Sequence, residues 1–177
     1  MIAPMKILGA ILAGGQSRRF GSDKALALYQ GLPLLDHAAA SLRLHVAELA
    51  VVGRDWPGLV RIDDYPEPGL GPLGGLCGAL LHAGANGFDA VLTTSCDVLG
   101  LTDTMIAALH PAPAFLAGHP VIGLWPATLA NGLAQRLAKP GNRSVYGFAD
   151  HVGARRVPGD SGLTNINSPV DLARRPD

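Results

Sequence analysis

The feature that most constrains this chain is an apolar run that breaks abruptly into glycine. Residues 7–13 read ILGAILA, and Gly14-Gly15-Gln16-Ser17-Arg18-Arg19 follow at once. A short apolar run of this kind reads as a strand buried on both faces. It is far short of the ~20 residues of a membrane helix. With Lys6 before it the run imitates a signal peptide, but the polar loop after it argues for a strand end. Glycine lets backbone N–H groups approach an anion without interference from Cβ. Ser17, Arg18, Arg19 and Lys24 add donors and positive charge, a combination that a triphosphate needs. The loop is not a Walker A loop. Gly15 to Gly21 holds one residue too many, and Lys24 precedes Ala25 where Ser or Thr is required. The plain alternative is a glycine turn with solvated arginines.

The rest of the chain repeats strand, loop and helix. Apolar runs predict strands over residues 49–52, 60–62, 88–93, 114–117, 121–125 and 155–157. The two around Gly118-His119-Pro120 predict a hairpin or one bent strand. Helices are predicted over 34–45, 72–83 with Pro72 in the first turn, from Thr102 as N-cap, over 129–137 and 144–152, and from Ser168 onward. Strands alternating with helices mean an α/β sandwich with a mainly parallel sheet. Ligands of such sheets lie beyond the carboxyl ends of the strands. The glycine loop, Asp63-Asp64 and Asp97 all fall at such ends, which points to one active site.

Composition narrows the class. The chain has 177 residues, 48% hydrophobic and 16% charged. A single domain over 1–177 is expected, large enough to bury roughly 70% of its unfolded surface without a disulfide or structural metal. The 23 glycines and 14 prolines show no collagen-like period, so they belong to turns and close-packed loops. Net charge is zero, without the basic excess of a general nucleic-acid binder. The skew to 11 Arg over 3 Lys and 12 Asp over 2 Glu is mostly what codon bias produces. Cys77 and Cys96 lack a CxxC spacing, which implies reduced thiols and a cytoplasmic setting. The six histidines show no ligand spacing.

Other motifs carry less. Gly69-Leu70-Gly71-Pro72-Leu73-Gly74 matches G-x-G-x-x-G, but Tyr65-Pro66-Glu67-Pro68 before it cannot be a central strand. The match is read as accidental. Gly74 and Gly75 are read as letting a helix pack closely or approach a ligand. Asp97 follows an apolar-to-polar switch. A carboxylate facing a triphosphate needs a cation between them, and Mg2+ takes one or two carboxylates plus phosphate oxygens and water. The bland reading of Asp97 is a turn former. His119-Pro120 is equally a functional pair or a turn. Asn142-Arg143-Ser144 is a formal glycosylation sequon without a secretory signal.

Residues 12–24 resemble the LAGGxSxRMGxDK signature of the nucleotidyltransferases, and Gly71-Pro72-Leu73-Gly74-Gly75-Leu76 resembles their GPLxGL motif. Residues 119–126 (HPVIGLWP) and 165–172 (NINSPVDL) narrow the resemblance to the molybdenum cofactor guanylyltransferases. The resemblance implies a Rossmann-like three-layer α/β/α sandwich with a mainly parallel, mixed sheet of nucleotide-diphospho-sugar transferase type. It implies GMP transfer from GTP to the terminal phosphate of molybdopterin with Mg2+, releasing pyrophosphate. Leu12, Ala13, Gly14, Gly15, Ser17, Arg18, Lys24, Asp64 and Asp97 would bind the nucleotide. Lys24, Arg19 and Asp97 would be catalytic, with Asp97 the metal ligand. His119, Arg143, Asn165 and Asn167 would lie on the molybdopterin side. Further implied partners are the molybdenum-insertion protein and molybdoenzyme chaperones; nucleic acid and membrane are not expected.

The chain departs from the pattern at Phe20 for methionine, at Gly53 where relatives often carry a nucleotide-contacting Asn, and at Val98-Leu99 in place of Thr/Met-Pro. The segment 112–118 is also shorter than usual. Competing readings are a transferase using CTP or another acceptor, and a non-catalytic GTP-binding adaptor of the same fold. A dinucleotide-dependent oxidoreductase would rest on the glycine match alone.

Overall fold

The computed structural model describes residues 4–14, 23–160 and 162–173. In chain order the elements are β1 (Ile7–Leu12), a 3-10 turn at Lys24–Leu26, β2 (Leu28–Tyr29), β3 (Leu32–Pro33), α1 (Leu34–Leu42), β4 (Glu48–Val52), β5 (Val60–Ile62) and α2 (Pro72–Ala85). Then come β6 (Ala90–Ser95), β7 (Val98–Leu99), α3 (Asp103–Ala108), β8 (Ala114–Leu116), β9 (His119–Pro126) and a second 3-10 turn at Ala127–Leu129. The chain closes with α4 (Ala130–Leu137), α5 (Val145–His151), β10 (Arg155–Val157), β11 (Thr164–Asn165) and α6 (Pro169–Ala173).

Seven strands form one sheet in the order β10-β8-β9-β6-β1-β4-β5. β9 runs against its neighbours β6 and β8, and the other pairings are parallel, so the sheet is mixed and mainly parallel. The period-2 alternation of side chains divides the core into two layers. Leu8, Ala10, Ala50, Val52 and Val91 point to α2, α4 and α5. Ile7, Ile11, Leu49, Val51, Ala90 and Leu92 point the other way, to α1 and α3. The result is the three-layer α/β/α sandwich that the sequence implies.

Capping follows the local chemistry. Pro72 opens α2, where its missing N–H costs nothing. Thr102 caps α3 through the Met105 N–H, and Ser144 caps α5 through the Gly147 N–H. Several boundaries differ from expectation. α1 stops at Leu42, three residues before the predicted 45, in a turn where the His45 N–H bonds the Leu42 carbonyl. The strand predicted over 88–93 is Ala90–Ser95: Phe88 packs beneath α2, and the register on β1 carries pairing on to Leu12 opposite Ser95. The segments around Gly118 form an antiparallel hairpin, with an irregularity at Phe115 and Leu116.

α2 lies against the sheet through glycine. A Cβ on Gly78 would collide with the carbonyl oxygen of Asp63, just beyond β5. Gly84, later in the same helix, has open space around it. Gly78→Ala should therefore cost about 1–3 kcal/mol by overpacking, a fall of roughly 2–12 °C in Tm for a chain this size. Gly84→Ala should gain about 0.5–1 kcal/mol from the helix-interior preference. Thermal melting of the two variants checks both signs; equal effects would mean that α2 does not seat on Asp63.

Candidate active site

A cavity of about 820 Å³ opens beyond the carboxyl ends of β1, β4 and β6. Leu12, Ala13 and Gly14 come from the end of β1, Val52 and Arg54 from the end of β4, and Ser95, Cys96 and Asp97 from the end of β6. The N-terminus of α2 contributes Gly71, Pro72 and Gly75. Unpaired N–H groups and the helix dipole make such an end favourable for negative charge.

The loops close on one another through backbone. Gly53 has φ +85°, and a Cβ there would lie 2.6 Å from the Cα of Gly14. Position 53 is thus filled by backbone, and the glycine is a packing requirement of this chain. Asp64 sits over the same contact: a Cβ on Gly14 would meet its Oδ2 at 3.4 Å, and one on Gly75 would meet its Oδ1 at 3.2 Å. Burial pushes the Asp64 carboxyl above its ordinary 3.8, and the neighbouring Asp63 pushes the same way. Asp63 itself turns outward to Arg61, 2.9 Å away.

Lys24 and Asp97 face each other across the cavity mouth. Lys24 Nζ donates to Asp97 Oδ2 at 2.9 Å, and the Ser95 hydroxyl donates to Asp97 Oδ1. Asp23 caps the turn that carries Lys24, accepting from the Ala25 N–H at 3.2 Å, and both its oxygens accept from Arg54. Arg54 holds the Asp23 carboxyl below the usual carboxylate range. Cys96 is buried, and burial pushes its thiol up to about 11 with Asp97 adding to the shift, so it is a protonated wall at neutral pH and no nucleophile. Asp23, Asp64 and Asp97 thus face Lys24 and Arg54, three carboxylates against two cations among the described lining.

The predicted molybdopterin-side residues divide. β11 pairs with β7 and sets Asn165 opposite Val98, and the Ile166 N–H bonds the Asp97 carbonyl at 2.8 Å. Asn165 and Asn167 therefore flank the backbone of Asp97. Val98-Leu99, a departure in the sequence, is the strand that makes this pairing. His119 opens β9 two residues before the cavity-lining Val121. Arg143 lies exposed between α4 and α5, and none of His119, Arg143, Asn165 and Asn167 is among the residues that line the cavity. Gly15, Ser17, Arg18 and Arg19 lie outside the described residues.

Sequence reasoning missed Asp23, Arg54, Ser95 and Val121. Arg54 stands two residues past a predicted strand end, which was signal enough to find it; its bond to Asp23 has no local signature. The glycines at 69–74 follow no strand, since β5 ends at Ile62, yet Gly69 and Gly71 do line the cavity.

Residues 9–152 match the family model of the MobA-like NTP transferase domain. The chain belongs to the MobA-like NTP transferases. It is 37% identical to a molybdenum cofactor guanylyltransferase of Cereibacter sphaeroides, covering 96% of this chain and 95% of the relative. A protein of the same name from Acidiphilium cryptum is 34% identical over 92% of this chain and 90% of its own. Among solved structures, the molybdopterin-guanine dinucleotide biosynthesis protein A of Archaeoglobus fulgidus superposes with a TM-score of 0.74 at 19% identity, covering 94% of this chain and 95% of that one. The 2-C-methyl-D-erythritol 4-phosphate cytidylyltransferase of Thermus thermophilus gives 0.61 at 17% identity, covering 96% and 95%. At these identities the two structures speak for the fold alone.

In this MobA-like chain the charge of Asp64 costs stability. Its pKa is higher folded than unfolded, so the cost is full above the folded pKa and vanishes below the ordinary 3.8. Asp64→Asn should raise Tm at pH 7, and the gap from the parent should close as pH falls through the carboxylate range. Melting curves across pH 3–7 (approximate limits set by the reference carboxylate values) check this; an Asn variant less stable at pH 7 would show the carboxylate to be a structural acceptor.

Proposed function

We propose that this chain transfers the GMP group of GTP to the terminal phosphate of molybdopterin, acting as one nucleotidyltransferase unit. The observation that carries the reading is the cavity itself: Lys24, Asp97, Asp64 and the glycine turn of β1 converge on one space beyond three strand ends. The Cereibacter and Acidiphilium relatives, named for guanylyl transfer to the same cofactor and matched over nearly their full length, supply the substrates.

An acceptor phosphate is already ionised, so no Ser, Cys or His nucleophile is required, and no histidine lines the cavity among the described residues. Its oxygen forms the new bond to the α-phosphorus, the α–β anhydride bond breaks, and pyrophosphate leaves with the electron pair. The protein's part is positioning and charge neutralisation. Lys24 would neutralise phosphate charge, and Arg18 and Arg19, which precede it in the sequence, are assigned the same work. Losing one such contact costs on the order of 3–4 kcal/mol of barrier.

Mg2+ fits the donor set. The described residues hold no cluster of three or more His, Cys, Asp or Glu that would bind a metal by themselves. One carboxylate, Asp97, joined by phosphate oxygens and water is the way Mg2+ is ordinarily held beside a triphosphate. When bound, Mg2+ would supply charge to the phosphates; Asp97 would hold it, and Lys24 would then be free to turn to phosphate. No described helix is long and apolar enough to cross a membrane, and the two free, buried cysteines fit the cytoplasm we propose as its place.

Pyrophosphate release from GTP, Mg2+ and molybdopterin tests the reading; GTP binding without release would make the chain an adaptor, and preference for CTP would change the nucleotide. Asp97→Asn should lose the release and weaken GTP binding in Mg2+ alone, leaving binding without Mg2+ neutral or slightly improved, because a carboxylate repels a bare triphosphate. Calorimetric titration in the two buffers checks the difference. Equal weakening in both would mean that Asp97 is a turn former.

A further inference from the structure

We propose that Arg54 is a positioning residue, which fixes the turn carrying Lys24 by clamping Asp23, and so sets where the Lys24 ammonium stands in the cavity. The proposal deepens the nucleotidyl-transfer reading and rests on it. Arg54 is anchored from behind. It follows Gly53, whose N–H bonds the Ile62 carbonyl at 2.9 Å and whose backbone is closed against Gly14. Its guanidinium lies 5.7 Å from the Trp56 ring, and Trp56 Nε1 donates to Asp36 of α1 at 2.8 Å. Its two terminal nitrogens both donate to the Asp23 carboxylate. Asp23 in turn holds the Ala25 N–H, and Ala25 is buried against α1.

A continuous polar chain thus runs from α1 through Trp56, Arg54 and Asp23 to the turn of Lys24, whose Nζ ends on Asp97. Lysine is a flexible four-carbon stem that points where its backbone lets it. The planar fork of arginine on a carboxylate fixes two positions at once. Both ends of this link sit on packed backbone, Gly53 against Gly14 and Ala25 against α1. Both terminal nitrogens of Arg54 donate to Asp23, and its Nε is buried without a hydrogen-bond partner among the described residues. Its two described hydrogen bonds run to the residue that holds the turn of Lys24, and positioning that turn is the role assigned to it.

Arg54→Gln and Asp23→Asn should each lower kcat about a hundredfold, the usual cost of a catalytic group misplaced by ~1 Å. The KM for GTP should change little, and the double variant should lose no more than either single one, because the two act as a unit. Arg54→Lys keeps the charge but not the fork, and should not restore kcat. Hydrogen exchange gives a second reading independent of turnover: the Ala25 amide should lose protection in Arg54→Gln while β1 and β4 keep theirs. A folded Arg54→Gln protein with parental kcat and a protected Ala25 amide overturns the proposal. So does a large loss in Arg54→Gln beside a mild one in Asp23→Asn, which would make Arg54 a substrate contact. If the parent releases no pyrophosphate, the functional reading fails, and the exchange measurement still decides whether the clamp exists.

Discussion

The contact of Gly53 with Gly14 is the constraint on which the site depends. Two loops leave adjacent parallel strands and meet backbone to backbone, with no room for a Cβ at position 53. That closeness seats Asp64 over Gly14 and Gly75, and brings Arg54 within reach of Asp23. Asp97 is fixed by Ser95 and, through its carbonyl, by Ile166; Lys24 is fixed by its turn. The cavity is preorganised because its charged side chains are paired with one another on loops whose backbone is itself bonded.

The charge pattern explains why such a site can be stable without ligand. Lys24 and Arg54 are each paired with an aspartate, so neither cation faces the others unpaired. On the proposed reading a triphosphate would compete with Asp97 for Lys24, and a divalent cation held by Asp97 would remove the competitor. Asp64 is the exception. Its carboxylate is pressed between glycines with a pKa raised by burial, a cost that has no structural return in the described residues. Charge held at a cost inside a cleft is what a binding group looks like.

Much of this was legible in the sequence. The strands at 60–62 and 155–157 and the cap at Thr102 have strong local causes, and the structure places them as expected. The convergence of Gly14, Asp64 and Asp97 followed from strand ends alone. What was not legible is set by pairing across the chain. β7 with β11 and β2 with β3 are two-residue strands, too short for any periodicity and fixed only by their partners. The end of β6 is set by the register of β1, since Thr94 and Ser95 are polar and read as loop. Gly53 looked like a lost Asn contact because a sequence does not show the backbone packed against it. Arg54 and Asp23 are 31 residues apart, and no local rule joins them.

On the proposed reading the cavity moves a nucleotidyl group, not a terminal phosphate. GTP labelled separately at its α and γ phosphates, incubated with Mg2+, molybdopterin and the protein, tests it directly. The α label should enter the pterin product while the γ label leaves in pyrophosphate. A γ label released as orthophosphate, or an α label retained in GDP, would contradict it.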